Sequence, residues 1–432
     1  MTHGIPETIT PGLDWRTRLA HTIDTMRELS LQQTPQSMVQ TYTAKMGEIV
    51  TVDRRISLSR RDLEAPMVRV TRYSGWEEEV DPWKQQDRLP VLYGGLFANL
   101  IYGNEPKVIN QLELADDDPA RKYLGDCKSI IVLPLYDQGE SLNMVVLARN
   151  DANAFDNESL PQWVWMSNLF GRATQTLVLK DKLEAAYAEL DRELQNVGKI
   201  QRSLLPEKLP DISTMQLAAY YRTSARAGGD YYDFFELPDD CWGILVADVS
   251  GHGTPAAVIM SITHGLAHAF PGPPSPPAKL LTYLNQHLHD RYTGHIGGFV
   301  TAFYACYHAP SRTLRYASAG HNPPRVKSCT NGTISSLDGA QSLPLGIMAE
   351  TEYQEAEVTF LPGDQVIFYT DGITEAMNPA HEQFGVERLD KALENCMLTA
   401  EGLIDTVVAG VEDFTAGHAP DDDRTMLVAK IR

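Results

Sequence analysis

The stretch VADVSGHG, from Val246 to Gly253, places an aspartate at the end of an apolar run and follows it with a glycine-rich turn. Such a run reads as a buried strand ending in a loop. Related placements recur at GGDYYD (Gly228 to Asp233), FYTDG (Phe368 to Gly372) and DDDRT (Asp421 to Thr425). Asp248 and Asp371 each follow an apolar strand, and Asp422 precedes one. A strand rim holds a carboxylate rigidly, while glycines such as Gly229 and Gly372 permit close approach of backbone and ligand. A single Asp-Gly pair is far more often a turn. Several together, all at strand ends, point to the oxygen ligands that Mg²⁺ and Mn²⁺ require. Two such ions about 4 Å apart can share one carboxylate and activate a water for attack on phosphorus.

The elements around these motifs predict a β-rich second half. Gly243 to Val249, Phe299 to His308, Leu314 to Ser318, Gln365 to Thr370 and Thr425 to Ile431 read as strands. Helices are expected after Thr254 and before Gly294, separated by the Pro-rich loop PGPPSPP. In the first half, Ser129 to Arg149 reads as two strands joined at Asp137-Gln138-Gly139-Glu140. Helical spacing then begins at Leu160 and continues through Leu183, Tyr187, Leu190, Leu194, Val197, Gln201 and Leu204. Alternating steps of four and three form a coiled-coil seam, which Pro206 ends. The alternative is a single amphipathic helix packed on its own domain.

A length of 432 residues suggests two or three domains, and 43% hydrophobic with 22% charged residues is the balance of a soluble globular chain. No membrane helix or signal peptide is apparent, so the cytoplasm is the expected compartment. Five scattered cysteines without a CxxC argue against a disulfide framework or a zinc knuckle. A formal charge of −20 speaks against nucleic acid as a partner and leaves phosphate to be neutralised by a bound cation.

GGDYYDFF, VADVSGHGTPAA, SAGHNPP, FYTDGITEA and DDDRTMLV, with the approach IQRSLLPEKLP, together resemble the metal-dependent serine/threonine phosphatases (the PPM family) over about residues 200 to 432. The resemblance is to the bacterial branch that includes the sporulation stage II phosphatase and activators of stress sigma factors. It implies an αββα sandwich of two antiparallel sheets flanked by helices, with two Mn²⁺ or Mg²⁺ ions at one edge. By position, Asp248 resembles the carboxylate bridging both ions, and the carbonyl of Val249 a further ligand. Asp371 and Asp422 resemble the remaining ligands of the first ion, and Asp230 that of the second. Asp233 and Asp423 are read as supporting residues. His252 lies four residues after Asp248, where it does not match the family's proton donor, and Arg222 and Arg226 are the nearest candidates for a phosphate-gripping arginine. His321 in SAGHNPP reads as structural. His264 and His268 have the i, i+4 spacing of zinc-binding helices, but HGLAH lacks the Glu of HExxH and offers no third ligand on the helix.

The front half resembles a GAF sensory domain, on the hairpin at Ser129 to Arg149 followed by FDNESLPQW (Phe155 to Trp163). That implies an antiparallel sheet with helices on one face and a pocket on the other; Trp76, Trp83, Tyr93 and Phe97 are candidates for its lining, the alternative being that they are core aromatics. The expected α+β organisation is a flexible leader (1–12), a GAF-like domain (13–175), a helical linker (176–206) and a phosphatase domain (207–432). The expected activity is hydrolysis of phosphoserine or phosphothreonine on a protein, the resemblance pointing to a STAS-like anti-sigma-factor antagonist. The linker helix would join two protomers, and a small molecule or protein would signal through the front domain. The contrasting readings are a catalytically silent phosphatase-like binding protein and a small-molecule phosphoesterase.

Overall fold

A computed structural model describes residues 15–78, 80–293 and 297–432; the expected leader, 1–12, lies outside them. The chain divides into two compact units, one up to Tyr187 and one from Ala188.

In the first unit, helices α1 (Trp15–Ser30) and α2 (Pro35–Ile49) precede strands β1 (Arg54–Ser59), β2 (Met67–Tyr73) and β3 (Val91–Tyr93). Helix α3 (Gly95–Gly103), β4 (Lys107–Ile109), α4 (Arg121–Leu124), β5 (Ser129–Asp137), β6 (Glu140–Arg149) and the 43-residue α5 (Leu160–Arg202) follow. The predicted hairpin forms between β5 and β6, turning through Gln138 and Gly139, both at positive φ as a tight hairpin of this hand requires. The strands make one antiparallel sheet in the order β3-β2-β1-β6-β5-β4. Alternation assigns its faces. Ile130, Val132, Met144 and Val146 pack with Phe97 and Ile101 of α3, while Ile131, Leu133, Val145 and Leu147 pack with Leu160, Trp163 and Val164 of α5. Both faces are therefore covered, which corrects the expectation of helices on one face only. Trp76 and Trp83 line cavities on the α2 and α5 side, but Phe97 is buried in the opposite core and Tyr93 is exposed.

The second unit contains β7 (Met215–Arg222), β8 (Tyr231–Leu237), β9 (Cys241–Val249), α6 (Thr254–His268), α7 (Pro277–Leu288), β10 (Val300–His308) and β11 (Thr313–Ala319). Short strands β12 (Arg325–Lys327), β13 (Ile334–Ser336), β14 (Gln341–Ser342) and β15 (Ala356–Thr359) follow. Then come β16 (Gln365–Tyr369), α8 (Asp371–Thr374), α9 (Gly385–Leu393), α10 (Ala400–Phe414) and β17 (Arg424–Ile431). One sheet runs β14-β11-β10-β9-β8, with β15 on β11; the other runs β13-β12-β16-β17-β7. All pairings are antiparallel except β11 with β14.

Period two builds the layers. Val366, Phe368, Leu427 and Ala429 face Phe303 and Val246 of the other sheet, with the Phe303 and Phe368 rings 5.7 Å apart. Their neighbours Ile367, Tyr369, Met426 and Val428 face Leu389 of α9 and Leu403 and Val407 of α10. On the far side, Met260 of α6 and Leu280, Leu281 and Leu284 of α7 cover the first sheet. The result is a helix–sheet–sheet–helix sandwich.

The cysteine expectation is corrected. Cys329, after β12, and Cys396, between α9 and α10, form a disulfide across 67 residues of sequence. Only the tertiary fold brings their Cα atoms to 5.9 Å, so spacing could not reveal the pair. Cys127, Cys241 and Cys306 are free.

Candidate metal centre

Register explains why four distant aspartates meet. Strands β8 and β9 pair Tyr231 with Ala247, so Asp230, one residue before Tyr231, adjoins Asp248, one residue after Ala247. Strands β16 and β17 pair Tyr369 with Met426, which sets Asp371 beside the DDD run. Asp230 and Asp248 belong to the edge of one sheet, and Asp371 and Asp422 to that of the other.

Polar side chains fix the arrangement. Thr370 and Thr425 donate their hydroxyls to Oδ2 of Asp230 at 2.8 and 2.6 Å, and the amide of Thr425 donates to Thr370 Oγ1. Asp423 accepts from the Ser224 amide and hydroxyl on one oxygen and from the Gly229 amide, at 2.6 Å, on the other. Its carboxylate thus ties Ser224 and Gly229 together ahead of Asp230, which makes it a positioning residue. A Cβ on Gly372 would collide with the carbonyl oxygen of Asp423, and one on Gly229 would sit 2.9 Å from the carbonyl of Val249. These glycines let backbone meet backbone at the cluster. Gln201, near the end of α5, clamps the same loop: its amide donates to the carbonyl of Gly228 and accepts from the Gly228 amide. Gln201 is therefore buried against this loop and not part of a helix–helix seam.

The electrostatics call for a cation. Asp230 is almost wholly buried and its Oδ1 has no hydrogen-bond partner. Burial, then repulsion from Asp423 and Asp371, push its carboxyl up. Burial and the charges of Asp230, Asp371 and Asp422 do the same to Asp248. Asp371 is pushed up to about 6 by burial, Asp422 and Glu375. Asp422 is raised by burial, with His252 partly offsetting this. Mutually repelling carboxylates with an orphaned oxygen fit an all-oxygen site for a hard divalent ion.

Other sequence candidates lie elsewhere. Asp233 projects from β8 toward His264 and His268 of α6, away from the acidic cluster. Arg222 pairs with Glu412 and Arg226 with Asp191, so neither is held at the cluster. His321 is buried and meets Thr301 Oγ1 at 2.8 Å, while that hydroxyl also reaches the carbonyl of Asp248 at 3.4 Å. Burial lowers its imidazole to about 4, which fits a neutral structural residue. Thr370, Thr425, Ser224 and Gln201 were not legible as site residues. The two threonines adjoin Asp371 and the DDD run, but a strand threonine carries no signal of its own.

Residues 238–432 match the family model of stage II sporulation protein E (SpoIIE). Asp248, Asp371, Asp422 and Asp423 fall inside that stretch, and Asp230 lies just ahead of it. Over 255 residues the chain is 28% identical to phosphoserine phosphatase RsbU of Bacillus subtilis (strain 168), covering 57% of this chain and 72% of the relative. Over 243 residues it is 25% identical to phosphoserine phosphatase RsbP of the same bacterium, covering 56% of this chain and 58% of that one. The match to RsbP thus spans less than two thirds of its length. The fold resembles the SiaA-PP2C domain of Pseudomonas aeruginosa with a TM-score of 0.50 at 21% identity, covering 57% of this chain and 98% of that domain. Sandwich, acidic edge and sequence matches agree: residues 238–432 belong to a SpoIIE-type protein serine/threonine phosphatase domain of the PP2C fold.

Proposed function

We propose that this chain is a metal-dependent protein phosphatase acting on phosphoserine or phosphothreonine of a STAS-like anti-sigma-factor antagonist in a bacterial partner-switching pathway. The observation that carries the reading is the convergence of Asp230, Asp248, Asp371 and Asp422, with Asp230 Oδ1 buried and unpaired. Asp230, Asp248, Asp371 and Asp422, with the Val249 carbonyl, would hold the ions. Bound Mn²⁺ or Mg²⁺ supplies Lewis acidity toward a phosphoryl oxygen and a water of lowered pKa. Thr370 and Thr425 orient Asp230, while Asp423 and Gln201 hold the loop that carries it. The substrate is inferred from the resemblance to RsbU and RsbP, both named as phosphoserine phosphatases.

Regulation belongs to the same reading. The first unit acts as a GAF-like sensor, its cavities beneath α2 and α5 offering room for a signal molecule. On α5, Leu183, Tyr187 and Leu190 form an exposed apolar stripe that supports a homodimeric coiled coil. The Gln201 clamp would carry a change in α5 to the Gly228–Asp230 loop. The protein would work in the cytoplasm; no described helix is long and apolar enough to cross a membrane.

The test is phosphate release from a phosphorylated STAS-type antagonist and from small phosphate esters, in Mn²⁺ and in chelator. Mn²⁺-dependent release with preference for the protein supports the proposal. Preference for small esters would make it a small-molecule phosphoesterase. Mn²⁺ binding without turnover, also after removal of the first unit, would leave a binding protein. A Leu183→Glu, Leu190→Glu variant that stays dimeric in sedimentation would refute the α5 interface.

A further inference from the structure

The geometry points to a second, chemically different cation site in the phosphatase unit: an accessory Zn²⁺ site formed by Asp233, His264 and His268, bracing helix α6 to strand β8. Oδ2 of Asp233 lies 2.7 Å from Nε2 of His268 and 3.6 Å from Nδ1 of His264, and the three ligand atoms all fall within 4.8 Å of one another. The i, i+4 spacing puts both imidazoles on one face of α6, their ring centroids 4.4 Å apart. The third ligand, missing from the helix, comes from the facing strand.

The surroundings have the form of a metal ligand's supporting shell. The Phe234 amide donates to Oδ1 of Asp233 at 2.8 Å, which turns Oδ2 toward the imidazoles. The Tyr231 hydroxyl donates to Oδ2 at 2.5 Å and lies 3.1 Å from Nδ1 of His264. Such hydrogen bonds orient ligands and tune their basicity. Asp233 is buried, whereas the His268 side chain is 48% exposed, so the site opens to solvent on one side. Two imidazoles and one carboxylate oxygen suit Zn²⁺ and related first-row ions, with a fourth position left for water, and do not suit Mg²⁺. The all-oxygen cluster at Asp248 has the reverse preference. One domain would thus sort two kinds of cation. Without an ion, the short His268–Asp233 contact is a hydrogen bond; on Zn²⁺ uptake the neutral imidazole would carry its proton on Nδ1 and leave Nε2 free to face the ion.

The experiment titrates Zn²⁺, and in parallel the spectroscopic probe Co²⁺, into the full-length chain preloaded with Mn²⁺. Wild type should take up one additional Zn²⁺ equivalent and gain a higher melting temperature. It should also give Co²⁺ d–d absorption typical of imidazole ligation. His268→Ala, at a half-exposed position, should bind at least about 100-fold more weakly and lose both signals. Asp248→Asn should retain them. Equal Zn²⁺ uptake by wild type and His268→Ala, loss of uptake in Asp248→Asn, or no uptake by wild type would overturn the proposal and leave a hydrogen-bonded Asp–His–Tyr cluster.

Discussion

Asp230 and Asp233 are three residues apart at the start of one strand, and their carboxyls live under opposite conditions. Asp230 is pushed up by burial and by neighbouring aspartates, with one oxygen left unpaired. Burial also acts against Asp233, but hydrogen bonds from His264, Tyr231 and His268 outweigh it and hold that carboxyl below its usual range. Alternation along β8 explains the split: Tyr231 and Asp233 share the face toward α6, and Asp230 meets the edge of the second sheet. A buried carboxylate surrounded by donors is satisfied as it stands. One surrounded by carboxylates needs a cation.

Substitution by asparagine should separate the two. Asp230→Asn should lower Mn²⁺-dependent phosphate release by more than about 100-fold, because a ligand matters more than its hydrogen-bond partners. The same change should raise the melting temperature of chelator-treated protein by about 2–4 °C, since one repelling charge is removed. A stability loss in chelator would show that Asp230 is not under repulsion from its neighbours. Thr425→Val, which deletes a donor to Asp230, should raise the Mn²⁺ concentration needed for activity by about 10–100-fold; metal titration of turnover reads this directly. Asp233→Asn should do the reverse of Asp230→Asn, costing about 1–3 kcal/mol in denaturant unfolding while leaving most activity intact.

The smallest effect is in pH. Asp371 has a folded-state value of about 6, above its unfolded one, so its contribution is complete below about pH 4 and disappears as pH rises through 6. Chelator-treated protein should therefore lose stability between about pH 4 and 7. Saturating Mn²⁺ should remove that decline. An identical pH profile with and without metal, followed by thermal unfolding, would show that the cluster is not where the metal acts.

Much of this was legible from sequence because the information is local. The strands flanking Asp248, Asp371 and Asp422 are short apolar runs, and period two places an aspartate at each rim. The hairpin at Gln138-Gly139 is equally local. What was hidden depends on contacts across the fold. Nothing near HGLAH shows that Asp233 lies opposite it, and DYYD does not disclose that its two aspartates diverge. Gln201 fits an apolar heptad in sequence, yet its amide fills a polar gap beside Gly228. Cys329 and Cys396 carry no motif, and only the neighbouring β12 turn and α9–α10 loop unite them.

We propose the acidic edge, and not the histidine cluster, as the Mn²⁺ centre of the phosphatase. The most direct test is calorimetric titration of Mn²⁺ into chelator-treated wild type, Asp248→Asn and His268→Ala, with phosphate release measured on the same samples. Wild type and His268→Ala should each bind two equivalents and stay active, and Asp248→Asn should lose binding together with activity. Undiminished Mn²⁺ binding and turnover in Asp248→Asn would contradict this assignment.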